Sequence, residues 1–378
     1  MLAQADSVGE LLEQFRSRIP TALIDGAGWD MLVERSSELP ISLSTTGFGF
    51  ELHMHEATPR ADLGLTLYLG TQSAAHFEEW SRSRPEDESA RAIIDLLNEM
   101  GREGSALHRI TGAKFLLEYD IDPAHPGPFP WPGIFLYPND DVLTGHYGRT
   151  VATTGGVGLA QEFEDLGVIV EAVMAACGFV PQGSELRQAE KVLAALPPGA
   201  HMGSVGSFPD RARGLRLGIT GIRSVGELTS FLERTDWPGQ PEGFASFVGD
   251  LEERGAFAHL GVHLHIEGGE LRPELGVSFY IEGGQWVRET EPWMGVLDGL
   301  SASELAVPEK LRALSQSWAG TETVFGRQGV FLVVKGIHHI KMTMVGDRFK
   351  EVKAYVFCLM FPSFLSVAAS DAATLRNE

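Results

Sequence analysis

A closed antiparallel β-barrel wrapped in helices, of α+β class, is the fold this sequence predicts, and three observations predict it. Apolar and polar residues alternate with period two in five successive pairs of segments. Stretches of helical period separate the pairs. The first and fourth pairs also align with each other, as duplicated units do.

The first pair, GFGFELHMHE and DLGLTLYLG, makes a hairpin near 47–70 around a turn containing Pro59. KFLLEYDID and GIFLYP make the second, near 114–138, across a proline-rich connection. The third, near 201–222, pairs HMGSVGSF with LRLGITGI. HLGVHLHIEG and LGVSFYIEG form the fourth, near 259–283, and GIHHIKMTMV and EVKAYVFCLM the fifth, near 336–360. Between them, ESARAIIDLLNEM, AQEFEDLGVIVEAVMAA, SELRQAEKVLAAL and SVGELTSFLERT carry helical spacing. The internal repeat emerges when HMHEATPRADLGLTLYL (53–69) is set beside HLHIEGGELRPELGVSFYI (263–281). Both run H-x-H, a loop, an acid, Leu-Gly and, four residues on, Tyr. Ten strands that close on themselves leave no edge and enclose a lumen wider than side chains alone usually fill. The expectation is therefore a single domain over 1–378: a ten-stranded barrel of five repeats inside a ring of helices.

Composition narrows the function. Acidic residues outnumber basic ones 51 to 30, a net charge of −21, which opposes both nucleic acid and anionic membranes as partners. No stretch approaches the ~20 apolar residues of a membrane span, and the N-terminus lacks the basic and apolar regions of a secretory signal, so a cytoplasmic protein is expected. Two cysteines, Cys177 and Cys358, give neither a disulfide framework nor a zinc motif.

If helices cover the outside, the more apolar side of each strand must face them. Phe50, Leu52 and Met54 then point outward, and Glu51, His53 and His55 inward. The same parity sends Tyr68, Glu118, Tyr137, Arg216, His263, His265, Tyr280, Lys341, Lys353, Tyr355 and Phe357 into the lumen, with Thr66, Phe135, Ser278 and His339 beside them. Solvent-facing strand positions seldom collect so many Tyr and His, and a binding cavity accounts for the set better. Strict alternation points His338 and His339 to opposite faces. The two H-x-H pairs could offer zinc four nitrogens, but they sit on hairpins that are not neighbours in the ring, so polar lining is expected and no metal site.

The element order and the Lys-x-Tyr motif KAY at 353–355 resemble those of the αββα aromatic prenyltransferases, over nearly the whole chain. The resemblance implies transfer of a prenyl group from an allylic diphosphate to an electron-rich aromatic acceptor, a small molecule or a peptide. Inward Lys, Arg and Tyr would hold the diphosphate, and fixed cations in a dry cavity stabilise the charge it gains on leaving. Lys353 with Tyr355 fits that role best, then Lys341 on the paired strand and Arg216 on the third hairpin. Tyr68, Tyr137, Tyr280 and Phe357 would shield the allylic cation. Glu51 on the first strand matches the glutamate that takes the acceptor's proton in indole-modifying members, and Glu118 is the second candidate base. Either carboxylate could instead pair with a lumen His or Lys. The sequence leaves a need for Mg²⁺ open. It departs from the pattern where Thr66, Phe135 and Ser278 precede tyrosines that the family would pair with a cation. Either His53, His263 and His265 replace some cations, or the depleted barrel performs another modification of a peptide or metabolite, or only binds one.

Overall fold

The period-two segments pair in chain order, and the last strand returns to the first. A computed structural model describes residues 7–44, 47–69, 78–79, 82–83, 86, 88–121, 132–145, 159–209, 213–281, 289–326 and 329–362. Its antiparallel sheet holds β1 (Gly47–His53), β2 (Ala61–Tyr68), β3 (Thr111–Tyr119), β4 (Gly133–Pro138), β5 (His201–Ser207), β6 (Leu215–Ile222), β7 (His259–Glu267), β8 (Glu270–Tyr280), β9 (Gly320–Gly326), β10 (Gly329–Val345) and β11 (Arg348–Pro362). Neighbours in sequence are neighbours in the sheet from β1 to β8; β8 then pairs with β10, β10 with β11, and β11 with β1. Ten strands thus close into a barrel, built from the five expected hairpins.

The eleventh strand, β9, was not expected. It pairs with the leading half of β10, Gly329–Lys335, outside the ring. Strand β10 spans 17 residues and β11 spans 15, longer than the other barrel strands, and the overhang gives the short TETVFG segment a partner.

The apolar strand faces lie outward under helices. Phe50 on β1 meets Trp29 of the helix Gly26–Ser36 and Trp318, edge to face, at 5.9 and 6.3 Å between ring centroids. Phe279 on β8 packs on Phe247 of the helix Glu242–Glu253 and on Phe257. Burying rings of this size supplies on the order of 1.5–3 kcal/mol each. The helix Val225–Arg234 opposes its own fraying through Ser224, whose hydroxyl accepts the Glu227 amide at 3.1 Å. Among the described residues no helix is long and apolar enough to cross a membrane.

Two glycines shape the inner wall. A Cβ at Gly206 would lie 2.2 Å from the Phe135 ring, and one at Gly133 would lie 2.4 Å from Phe208. The two rings occupy that space instead, packed edge to face at 5.4 Å, and close one side of the lumen.

Candidate functional site

Parity alone would place ionisable side chains from facing strands in one space. The lumen holds a cavity of about 390 Å³ whose walls carry Glu51, Glu118, Arg216, His263, Lys341, Lys353 and Tyr355. His265, Glu274, Lys350 and Glu351 also line it.

Lys353 is held by two carboxylates. Its Nζ lies 3.0 Å from Glu51 Oε2 and 3.0 Å from Asp62 Oδ2. The β1–β11 register explains the approach, because Glu51 sits opposite Tyr355 and His53 opposite Lys353. Asp62, opposite Glu51 on β2, also takes His53 Nε2 at 2.8 Å and accepts the Ile121 amide at 2.9 Å. Burial alone would raise both acids, but Lys353 outweighs it: Glu51 falls to about 2, helped by Lys341, and Asp62 falls well below the carboxylate range, helped by His53. Burial likewise opposes the charge on Lys353, yet Glu51 and Asp62 hold its pKa above that of an ordinary lysine. The cluster is ionised, with one ammonium shared by two carboxylates. Asp62 escaped the sequence reading, although it shares the parity of Thr66 and Tyr68, both assigned inward.

Lys341 and Tyr355 form the second unit. The ammonium donates to the Tyr355 hydroxyl and lies 4.7 Å from the ring centroid. Burial lowers the Lys341 pKa against the pull of Glu51. Arg216 projects from β6 onto the Phe208 face at 4.5 Å. Glu118, on β3, moves the other way from Glu51: burial, and then the charge on Glu51, push it up to about 8, so it is largely protonated at neutral pH.

The histidines do not act as a set. His53 serves Asp62, His55 Nδ1 lies 3.2 Å from the Val352 carbonyl, and His263 Nε2 lies 3.1 Å from Ser278 Oγ. Among the described residues no three His, Cys, Asp or Glu side chains are placed to hold one metal ion.

His338 and His339 do not point apart. A register shift between Ile337 and His339 breaks the alternation of β10, and their Nδ1 atoms lie 2.7 Å apart. One imidazole must therefore donate from Nδ1 and the other accept, so the neutral tautomers are opposite. His339 is stacked on Tyr355 at 4.0 Å and on Tyr280 at 5.3 Å, and Tyr280 stacks on His259 at 4.8 Å. Burial lowers His263 to about 3 and His338 to about 4, and takes His339 well below its ordinary value. Tyr280 belongs to this stack, Tyr137 lies under Lys114 at 5.0 Å, and Phe357 is buried opposite Gly49; none of the three lines the cavity. The side chain of Tyr68 lies outside the described residues.

Solved structures share this architecture. A 6-dimethylallyl tryptophan synthase matches at 13% identity over 92% of this chain and 95% of its own, with a TM-score of 0.50. The 6-dimethylallyltryptophan synthase of Micromonospora olivasterospora, in complex with DMASPP and Trp, matches at 13% over 92% and 96%, also at 0.50. The barrel is that of the αββα aromatic prenyltransferases. The 5-dimethylallyltryptophan synthase of Streptomyces coelicolor matches at 14% over 92% and 95%, with a TM-score of 0.48. At these identities the αββα likeness is one of fold. No protein-family model and no curated protein matches the sequence.

Proposed function

We propose that this αββα barrel is an aromatic prenyltransferase that moves a prenyl group from an allylic diphosphate to an electron-rich aromatic acceptor, a small molecule or a peptide. The observation that carries the reading is the meeting of Lys341, Tyr355 and Arg216 with an ionised Glu51 in one cavity of a prenyltransferase-type barrel. A pocket of about 390 Å³ falls in the range of small-ligand sites.

In this reading Lys341, Arg216 and the Tyr355 hydroxyl meet the diphosphate. The allylic C–O bond breaks, its electron pair stays on the diphosphate, and these groups stabilise the growing charge. The acceptor ring forms the new bond and gives its displaced proton to Glu51. A carboxylate near 2 is a weak base, but deprotonation restores aromaticity and needs no stronger one. Lys353 keeps Glu51 ionised and in place, through the 3.0 Å contact, rather than meeting the donor itself.

One observation favours a second reading, acid–base modification of a polar metabolite or peptide without prenyl transfer. Among the described residues lining the cavity, Tyr355 contributes the one phenol or phenyl ring, and the carboxylates largely balance the cations. The deciding experiment incubates the protein with dimethylallyl, geranyl and farnesyl diphosphates and aromatic acceptors, following thermal stabilisation, pyrophosphate release and product mass. Donor-dependent stabilisation with a prenylated product is expected. No stabilisation and no pyrophosphate from any donor would sink prenyl transfer and leave the second reading.

A further inference from the structure

Glu118 is a cavity carboxyl held unlike Glu51, Glu274 and Glu351, the last kept ionised against its burial by the charges of Lys353, Lys341 and Lys350. Glu51 is tied to Lys353, and Glu274 to Lys350 at 2.7 Å. Glu118 has no hydrogen bond or ion pair with a described residue, and glycines stand opposite it on both neighbouring strands, Gly64 on β2 and Gly133 on β4. The Phe208 ring fills the space over Gly133, and the Glu118 carboxyl faces the cavity shared with Lys341, Arg216 and Glu51.

The charges around it set its state. Glu118 interacts with Glu51 from β1, Lys341 from β10, Arg216 from β6 and Asp120 just past the end of its own strand, and it acts on Tyr355 from β11. Asp62 on β2 is taken up by Lys353 and His53, and His263 on β7 is uncharged at neutral pH. Burial and Glu51 together keep the proton on Glu118 up to about pH 8.

Of the four Lys and Arg side chains among the described residues lining the cavity, Lys353 is paired with two carboxylates and Lys350 with one. A leaving diphosphate therefore meets less positive charge than the count of cations suggests, and a positioned proton donor can replace a missing cation. We propose that Glu118 is the general acid for the departing diphosphate.

The step rests on the prenyl-transfer reading and balances with its base. The allylic C–O bond breaks toward oxygen, and that oxygen takes the proton from the Glu118 O–H, leaving a carboxylate. The carbon–carbon bond forms on the acceptor, and the displaced ring proton goes to Glu51. Transfer of that proton from Glu51 to Glu118 restores both acids, and the products are the prenylated ring and a protonated diphosphate. Glu118 thus leaves the list of candidate bases: a carboxyl that holds its proton at neutral pH serves as an acid.

Pyrophosphate binding tests the proposal without turnover. Calorimetry from pH 6.5 to 9.5 should show wild-type affinity falling about tenfold per pH unit above about 8, as Glu118 ionises and repels the ligand. Glu118→Gln, which keeps a donor but cannot ionise, should bind within about threefold of wild type at pH 7 and lack that fall beyond the ligand's own titration. Its kcat should drop about 100-fold with little change in KM. An identical alkaline fall in both proteins, or an undiminished kcat in Glu118→Gln, overturns the assignment while leaving prenyl transfer intact. Wild type that binds no pyrophosphate at any pH overturns the donor reading together with it.

Discussion

Two parts of one lumen solve the burial of polar groups in opposite ways. Around Lys353 the groups stay ionised, because Glu51, Asp62 and His53 supply partners within 3.0 Å. Around His339 they are discharged, because rings and a second imidazole surround it and, among the described residues, no carboxylate touches it. Burial acts on both; the local partner decides whether the charged form survives. The cavity lies beside the ionised cluster, where fixed charges can act on a ligand, and the stack fills its own region with rings.

The largest effect should follow from breaking the ionised cluster. Lys353→Met leaves Glu51 and Asp62 buried side by side without their shared cation, and about 3–5 kcal/mol of stability should be lost. Urea unfolding measures it. Adding Glu51→Gln and Asp62→Asn should recover most of the loss, because the cost lies in stranded charge; a triple variant as weak as the single would mean that Lys353 acts by packing.

Ligand binding separates the regions next. Lys341→Ala should weaken pyrophosphate by about 10- to 100-fold, the worth of one or two charge-assisted hydrogen bonds. Tyr280→Phe, in the stack, should leave that affinity unchanged. Equal losses would show that the two regions bind as one site.

Most of the fold was legible because a barrel writes its parity along every strand. The hairpins follow from alternation, and Glu51, Lys341, Lys353 and Tyr355 reach one cavity because each takes an inward position. Parity fails where a strand leaves the regular ladder. The shift after Ile337 brings His338 and His339 together, and no residue in GIHHIKM announces it. The β9 pairing hides for another reason, since it needs an overhang whose length is set by the rest of the ring. Partner choice is not written along one strand either. Whether Lys353 faces a ligand or Asp62 depends on β1, β2 and β11 meeting in register, and β11 lies almost 300 residues away from Asp62 in sequence.

Acid should dissolve the two regions in order. His263 and His338 titrate near 3 and 4 in the fold, below the ordinary value of 6.5, so their contribution is present above 6.5 and fades as pH falls through those values. Glu51, depressed from 4.5 to about 2, contributes above 4.5 and fades only below it. Stability should thus decline first between pH 6.5 and 4.5, from the histidines, and a second decline should follow below. Replacing His338 and His339 with Phe should shrink the first limb to the part that His263 carries and spare the second. Glu118 has the opposite sign: its contribution is complete below 4.5 and is lost as pH rises through about 8, so Glu118→Gln should remove a decline that runs from pH 4.5 to about 8.

The smallest effect is expected from His339→Phe alone, and it probes whether the stack is as uncharged as its surroundings require. Phenylalanine keeps a flat ring between Tyr355 and Tyr280 and removes Nε2, which is buried without a hydrogen-bond partner among the described residues. Against that gain, His338 Nδ1 loses the partner it holds at 2.7 Å, a cost of about 1–3 kcal/mol for a buried polar atom. The two terms oppose, so the net change should be about 1 kcal/mol, read as a shift in urea midpoint at pH 7.5. A loss rivalling that of Lys353→Met would mean that His339 carries charge in the fold. The contrast between an ionised cluster and a discharged stack would then collapse, because a buried imidazolium is lost at that cost only when a hidden anion depends on it.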